Sequence, residues 1–178
     1  MGRRIVVVLP GTRDTSRNII KYLRGLDVEF KVIPIIDVKI DHGEVEEAQK
    51  AFSSGFTPDV SVFTSKTAVK VVKKLIPEAW KHAEKHSLAI GPGTASLLRK
   101  LGAENVEVPK KHSSEGLIEF LSNISKNSYL ALYCSKYVTL HLEEFIKEHF
   151  DSSHIFKLYT ILKKGENKLQ QIQKEIEL

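Results

Sequence analysis

The sequence predicts an α/β fold: a doubly wound parallel sheet in the middle of the chain and a second, smaller and incomplete lobe. Between residues 59 and 162, five short apolar runs alternate with four helical patterns, as in a sheet whose parallel strands are joined by helices. Ahead of them, residues 4–36 form a strand–helix–strand pattern, which a mixed, polar connection separates from the rest. The regular middle part is of the flavodoxin type.

The first elements are predicted from apolar runs and from the capping and breaking residues beside them. Ile5–Leu9 is wholly apolar and mostly β-branched, which is typical of a strand covered on both faces. Thr15 or Ser16 can cap a helix that continues to about residue 24. Phe30–Ile36 predicts a second strand, and Pro34 within it indicates a sheet edge or an exit from the sheet.

The middle lobe repeats one unit, in which a strand is followed by a small or hydroxyl-bearing turn and then a helix. Its strands are predicted at Val60–Phe63, Leu88–Ile90, Val106–Val108, Tyr129–Tyr133 and Ile155–Ile161, and its helices end near residues 75, 101, 124 and 149. A polar helix over Glu44–Phe52 is expected ahead of it. A marginal amphipathic helix is expected over Lys163–Leu178.

Composition narrows the class of protein. The chain has 178 residues, a formal net charge of +5 and one cysteine, Cys134. A single cysteine excludes an internal disulfide, and no apolar run approaches the roughly 20 residues that cross a bilayer. We therefore expect a cytoplasmic protein without a membrane partner. The positive excess suits a polyanionic metabolite, but the basic residues are spread along the chain, so nucleic acid is not an expected partner.

Three strand-to-helix turns share one chemical character. They are Thr64–Thr67, Gly91–Thr94 and Cys134–Lys136, and each places glycine or hydroxyl side chains where a helix is expected to begin. A helix N-terminus offers free N–H groups and the positive end of a dipole, and ligands of open α/β sheets gather at the carboxyl ends of the strands. Plain N-capping explains one such turn. Three turns on one edge predict an anion site.

Other groups of residues give weaker evidence for a functional site. The sequence has no G-x-G-x-x-G and no phosphate loop, and the Gly91–Gly93 pair lacks the third glycine of a dinucleotide site. His82 and His86 stand four residues apart on a predicted helix, but no third metal ligand is near them, so we expect surface histidines and no metal site. Cys134 admits two interpretations, a thiol with a lowered pKa or a small buried apolar residue.

Six segments, in order, resemble uroporphyrinogen-III synthases. The similar segments are Thr12-Arg13, the strand Val32–Ile35, Val62–Val69 ("FTS-x-x-AV"), Ala89–Leu98 with Leu101-Gly102, Val108-Pro109 with Ser113–Leu117, and Phe156–Thr160. Each motif alone is weak, and their order over nearly the whole chain is moderately specific. The resemblance implies two flavodoxin-like lobes joined by a two-stranded linker.

This resemblance also implies a division of the chain. Residues 1–37 would begin the first lobe, residues 38–158 would form the middle lobe, and residues 159–178 would be a linker strand and a helix that return to the first lobe. The family adds further strand–helix units there, whereas this sequence stops about one helix later. We expect a truncated chain, a reduced form, or a homodimer in which a second copy completes an exposed sheet edge; a monomer is the other expectation.

The resemblance implies a reaction as well. Hydroxymethylbilane, a linear tetrapyrrole with eight carboxylates, would be closed to uroporphyrinogen III with inversion of the last pyrrole ring, by a lyase that needs no cofactor. Tyr159 matches the family's linker tyrosine and would help the hydroxyl leave.

The resemblance further implies residues that bind the substrate. Its carboxylates would be bound by Thr64, Ser65, Thr94 and Ser114, beside Gly91 and Gly93. From their positions, Lys66 and Lys136 would add charge. Arg13 matches an early arginine, which can equally form a salt bridge between lobes.

Other functions remain open at this point. A catalytically inactive relative that binds a tetrapyrrole or another polyanion fits the same motifs. A receiver-type signalling domain fits poorly, because Arg13-Asp14 and Thr64-Ser65 stand where it needs acidic residues. A nucleotide-binding enzyme lacks its glycine fingerprint.

Overall fold

The structure, a computed structural model, describes residues 4–9, 17–25, 29–34, 36–163, 170 and 173–174. The chain divides into two compact units. Unit 1 comprises Met1–Lys39 with Ile161–Leu178, and unit 2 comprises Ile40–Thr160. In the part of the chain that the structure describes, no helix is long and apolar enough to cross a membrane.

Strands and helices alternate along the chain. The strands are β1 (Arg4–Leu9), β2 (Glu29–Pro34), β3 (Ile36–Ile40), β4 (Val60–Phe63), β5 (His86–Ala89), β6 (Asn105–Glu107), β7 (Tyr129–Ser135) and β8 (Ser152–Lys163). The helices are α1 (Arg17–Arg24), α2 (His42–Ser53), α3 (Lys66–Leu75), α4 (Pro77–Ala83), α5 (Pro92–Lys100), α6 (Ser114–Leu121) and α7 (Leu140–His149). The α/β prediction is confirmed, and the expected C-terminal helix lies largely outside the described residues.

The larger sheet has six strands in the order β3-β8-β7-β4-β5-β6. β4 pairs in parallel with β5 on one side and with β7 on the other, and the chain then proceeds outward to β6 and to β8. The direction of winding therefore reverses between β4 and β7, which makes this the topological switch point. In chain order the five parallel strands β4 to β8 stand 5-4-1-2-3, which is the doubly wound order 3-2-1-4-5 read from the other edge; a circular renumbering that starts at β7 gives the flavodoxin order 2-1-3-4-5. β1 and β2 form a separate parallel pair.

Both faces of the larger sheet are buried. One face packs Val62, Leu88 and Leu132 against Leu117 of α6 and Ile146 of α7. The opposite face carries a row of stacked rings, with Phe63 4.8 Å from Tyr133 and Tyr133 5.7 Å from Phe156 between centroids. Helices α3 and α4 cover that face. This two-sided burial explains why the strands are continuous apolar runs.

Three local expectations differ from the structure. The connection holds a strand, β3, ahead of its helix. His86 lies at the start of β5, so it does not share a helix with His82. α7 begins at Leu140 rather than directly after Cys134. The predicted end of α5 is confirmed, with Gly102 at a φ of +102°.

Candidate functional site

The candidate site lies at the carboxyl ends of the central strands of unit 2. β7, β4 and β5 are parallel neighbours, so the segments that follow them lie at one edge of the sheet. Those segments contain the three turns predicted from the sequence. The turn Thr64–Thr67 follows β4, and the turns after β5 and β7 lie on either side of it. The switch point between β4 and β7, where ligands of open α/β sheets bind, is at this edge.

Ser65 is the centre of the hydrogen bonding at this edge. It is the N-cap of α3, and its Oγ accepts a hydrogen bond from the N–H of Ala68 at 3.0 Å. The phenol of Tyr159 donates a second hydrogen bond to the same Oγ at 2.7 Å. A serine hydroxyl has two acceptor lone pairs and one hydrogen. With both lone pairs engaged, the Ser65 hydrogen is available to a ligand.

Tyr159 is held as a neutral phenol. Its side chain is only 5% exposed. Burial raises the pKa of Tyr159 above its ordinary value, and hydrogen bonds with Ser65 and Ser135 act in the opposite direction. The phenol therefore keeps its proton at neutral pH and can act only as a hydrogen-bond donor or a neutral acceptor.

A β-bulge in β8 aims Tyr159 at this edge. Cys134 pairs with Lys157, but the next residue, Ser135, pairs with Tyr159, so Leu158 is an extra residue on β8. Side chains alternate between the faces of a sheet, and one extra residue moves every later side chain to the opposite face. Without the bulge Tyr159 would share the face of Lys157, away from Ser65.

The other two residues at the switch point are held by the backbone. The N–H and Oγ1 of Thr64 both contact the carbonyl oxygen of Tyr133, at 3.3 and 3.4 Å. These bonds join the ends of β4 and β7. Lys136 is exposed, and its N–H donates to the carbonyl oxygen of Tyr159 at 2.8 Å. The structure therefore brings together four predicted residues: Thr64, Ser65, Lys136 and Tyr159.

A second group surrounds the first turn of α5. Gly91 is the buried N-cap, and Thr94 is buried in the first turn. Lys66 lies against Gly93, where a Cβ would be 3.1 Å from the lysine Cε and 3.3 Å from Nζ. On Gly91, a Cβ would be 3.3 Å from that of His112. Two basic side chains thus flank this helix N-terminus, and His112 had no signal in the sequence.

Ser114 makes none of the contacts described for these two groups. Ser113, not Ser114, is the N-cap of α6, and its Oγ accepts from the N–H of Gly116 at 3.3 Å. Ser114 is half-buried as the first residue of α6. Arg13 lies outside the described residues.

A protein-family model described as "Uroporphyrinogen-III synthase HemD" matches residues 17–177. The chain belongs to the uroporphyrinogen-III synthase family. This confirms the resemblance drawn from the six segments. Two of those segments, Val62–Val69 and Ala89–Leu98, contain the turns after β4 and β5.

Solved structures have the same fold. A mutant uroporphyrinogen III synthase from the extremely thermophilic bacterium Thermus thermophilus matches with a TM-score of 0.65 at 17% identity, over 97% of this chain and 68% of that chain. The uroporphyrinogen-III synthetase of Helicobacter pylori 26695 matches with a TM-score of 0.56 at 14% identity, over 96% of this chain and 68% of that chain. A search of curated proteins found no match.

Cys134 and the histidines take no part in a metal or thiolate site of the described region. Cys134 is fully buried, and burial raises the pKa of its thiol to about 12, which favours the apolar interpretation. His86 contacts Glu107 at 2.9 Å and the carbonyl oxygen of Asp59 at 3.1 Å. Among the described residues, no group of three or more His, Cys, Asp or Glu side chains is arranged to hold a metal ion.

Proposed function

We propose that this member of the uroporphyrinogen-III synthase family carries out the reaction of its family name. It would close hydroxymethylbilane to uroporphyrinogen III with inversion of the last pyrrole ring, as a cofactor-independent lyase of the cytoplasm. The observation that carries the proposal is the hydrogen bond between Tyr159 and Ser65 at the switch point, 2.7 Å long. In this hydrogen bond the buried phenol of Tyr159 is the donor, and the hydroxyl of Ser65 keeps its own hydrogen free for a ligand.

The Tyr159–Ser65 pair assists the departure of the terminal hydroxyl. Ser65 hydrogen-bonds the departing oxygen, and Tyr159 strengthens that bond by donating to Ser65. The carbon–oxygen bond breaks, and the hydroxyl leaves as water after taking one proton from the solvent. Ring closure then proceeds through a spiro intermediate and releases one proton from a pyrrole carbon, so atoms and charge balance. Closure without the enzyme gives the wrong isomer, so holding one conformation is its second task.

The carboxylates of the substrate bind along the same edge. The first turns of α3 and α5 present N–H groups, and Lys66 and Lys136 add positive charge. The proposed contacts within unit 2 are completed by Gly91, Gly93, Thr94, Thr64 and Ser114. Arg13 is proposed from the resemblance alone. From β7 to β6 is three strand spacings, roughly 14 Å, which suits a ligand of several rings.

The test is the identity of the porphyrin isomer formed. Hydroxymethylbilane generated in situ is added to the protein, and the products are oxidised and separated. We expect type III to dominate, and Tyr159→Phe to lower kcat by roughly 10²-fold. Tyr129→Phe, which removes a phenol at the other end of the sheet, is the matched control and should leave kcat unchanged.

A product mixture containing only type I, as without protein, would refute synthase activity. The second candidate, a binding-only relative, would then be tested by whether uroporphyrin III raises the melting temperature.

A further inference from the structure

Two large apolar side chains are exposed immediately beside the proposed site. Tyr137 is 68% exposed and lies in the segment that connects β7 to α7, and Leu140, the first residue of α7, is 65% exposed. This segment follows the carboxyl end of β7, which pairs with β4 at the switch point. Exposed apolar side chains are ordinary when they are scattered, but these two lie three residues apart in a segment that follows a strand at the ligand-binding edge, where loops carry binding residues.

The segment is fixed to the residues of the proposed site. The Oγ of Ser135 accepts a hydrogen bond from the N–H of Tyr137, and its carbonyl oxygen accepts one from Val138, both at 3.2 Å. Lys136 donates its N–H to the carbonyl oxygen of Tyr159 at 2.8 Å. Ser135 is also the residue of β7 that pairs with Tyr159 of β8. The backbone that carries Tyr137 is therefore hydrogen-bonded to the strand residues that position Tyr159.

We propose that Tyr137 and Leu140 form an apolar platform on which one pyrrole ring of the linear tetrapyrrole packs, while Lys136 pairs with a carboxylate of that ring. The inference rests on the proposed function. A linear tetrapyrrole with eight carboxylates on four rings is a chain of flat apolar faces with charged edges. Tyr159, the tyrosine already assigned to the site, is buried and offers no exposed aromatic face. Tyr137 supplies the face, and the adjacent Lys136 supplies the charge.

The experiment compares two exposed tyrosines that lie near opposite ends of one strand. Tyr137 follows the carboxyl end of β7, and Tyr129, which is 46% exposed, begins it. Binding of uroporphyrin III is followed by porphyrin fluorescence, and KM and kcat are measured with hydroxymethylbilane. We expect Tyr137→Ala to raise the dissociation constant and KM by about 3- to 10-fold with kcat unchanged. Tyr137→Phe keeps the ring, so its dissociation constant and KM should stay within about twofold of those of the unchanged protein. The same is expected of Tyr129→Ala.

Leu140→Ala is the second variant, with a smaller rise in KM expected. Wild-type constants for Tyr137→Ala and Leu140→Ala would overturn the inference while leaving the proposed function intact. A change of oligomeric size without a change in uroporphyrin binding would also overturn it, because the surface would then serve another protein chain. If the unchanged protein neither binds uroporphyrin III nor forms type III isomer, the proposed function itself fails.

Discussion

Cys134 shows at the scale of one residue how burial sets a pH limit on stability. Its side chain is fully buried in the cluster beneath α6 and α7, and burial raises the pKa of the thiol to about 12. In the unfolded chain the thiol ionises near pH 8.5. The folded protein thus holds the neutral form while the unfolded protein gains the charged form. Stability that is fully present below about pH 8.5 is lost as the pH rises toward 12.

We predict that Cys134→Ala removes this part of the pH dependence. Urea unfolding at pH 8 and pH 10 should show the free energy of unfolding of the unchanged protein falling by roughly 2 kcal/mol more than that of the variant. Both proteins keep Tyr133 and Tyr159, whose pKa values burial also raises, so the difference isolates the thiol. Equal losses in the two proteins would show that Cys134 ionises normally in the folded state.

Residue types alone predicted part of the site. Ser65 was predicted as a ligand-binding residue because hydroxyl side chains at a helix N-terminus suit an anion; the structure shows it as the N-cap of α3, and its role toward a ligand stays a prediction. The contact of Ser65 with Tyr159 joins residues 94 positions apart, and local sequence carries no information about it. His112 was missed for the same reason, because only the packed loop brings it to Gly91.

At the scale of elements, the start of α6 depends on a glycine. A Cβ on Gly116 would lie 1.9 Å from the carbonyl oxygen of Lys111, which belongs to the backbone and cannot move cheaply. We predict that Gly116→Ala destabilises the protein by about 1–3 kcal/mol. Gly43→Ala in α2 is the matched control, because its Cβ would meet only the Asp41 side chain at 3.4 Å. There alanine should be neutral or stabilising by up to about 1 kcal/mol.

Chemical denaturation of both variants measures the difference. Equal stabilities of Gly116→Ala and Gly43→Ala would mean that the loop before α6 can withdraw from the helix, contrary to the packing described.

Periodicity located elements where apolar runs and breakers coincide, as at Val60–Phe63 and at Gly102. It failed where that signal is weak. β3, Ile36–Ile40, alternates apolar and charged residues, but it adjoins Pro34, so the sequence predicts no separate strand there. α4 has only seven residues, too few for a helical period to be recognised. The bulge at Leu158 depends on hydrogen-bond register, which composition does not encode.

At the scale of the whole molecule, unit 2 holds the larger core. Its helices bury both faces of the larger sheet. In unit 1, β1 and β2 pair with each other, and β3, most of which also belongs to unit 1, is an edge strand of the larger sheet. We predict that a fragment of residues 36–163, with all six strands, unfolds cooperatively by itself. Far-UV circular dichroism during urea titration checks this, and a gradual, non-cooperative transition would show that unit 2 requires unit 1.

Unit 1 is assembled from two stretches that are far apart in sequence, with the whole of unit 2 between them. At roughly 5–20 residues per second, a ribosome needs on the order of ten seconds to make the intervening residues. Residues 1–39 therefore wait, without their C-terminal complement, while unit 2 emerges and can fold. The hydrogen bond from Asp41 to Leu158 then brings the chain's entry to unit 2 beside its exit. Translation order thus favours unit 2 folding first, and its folding supplies the loop closure on which unit 1 depends.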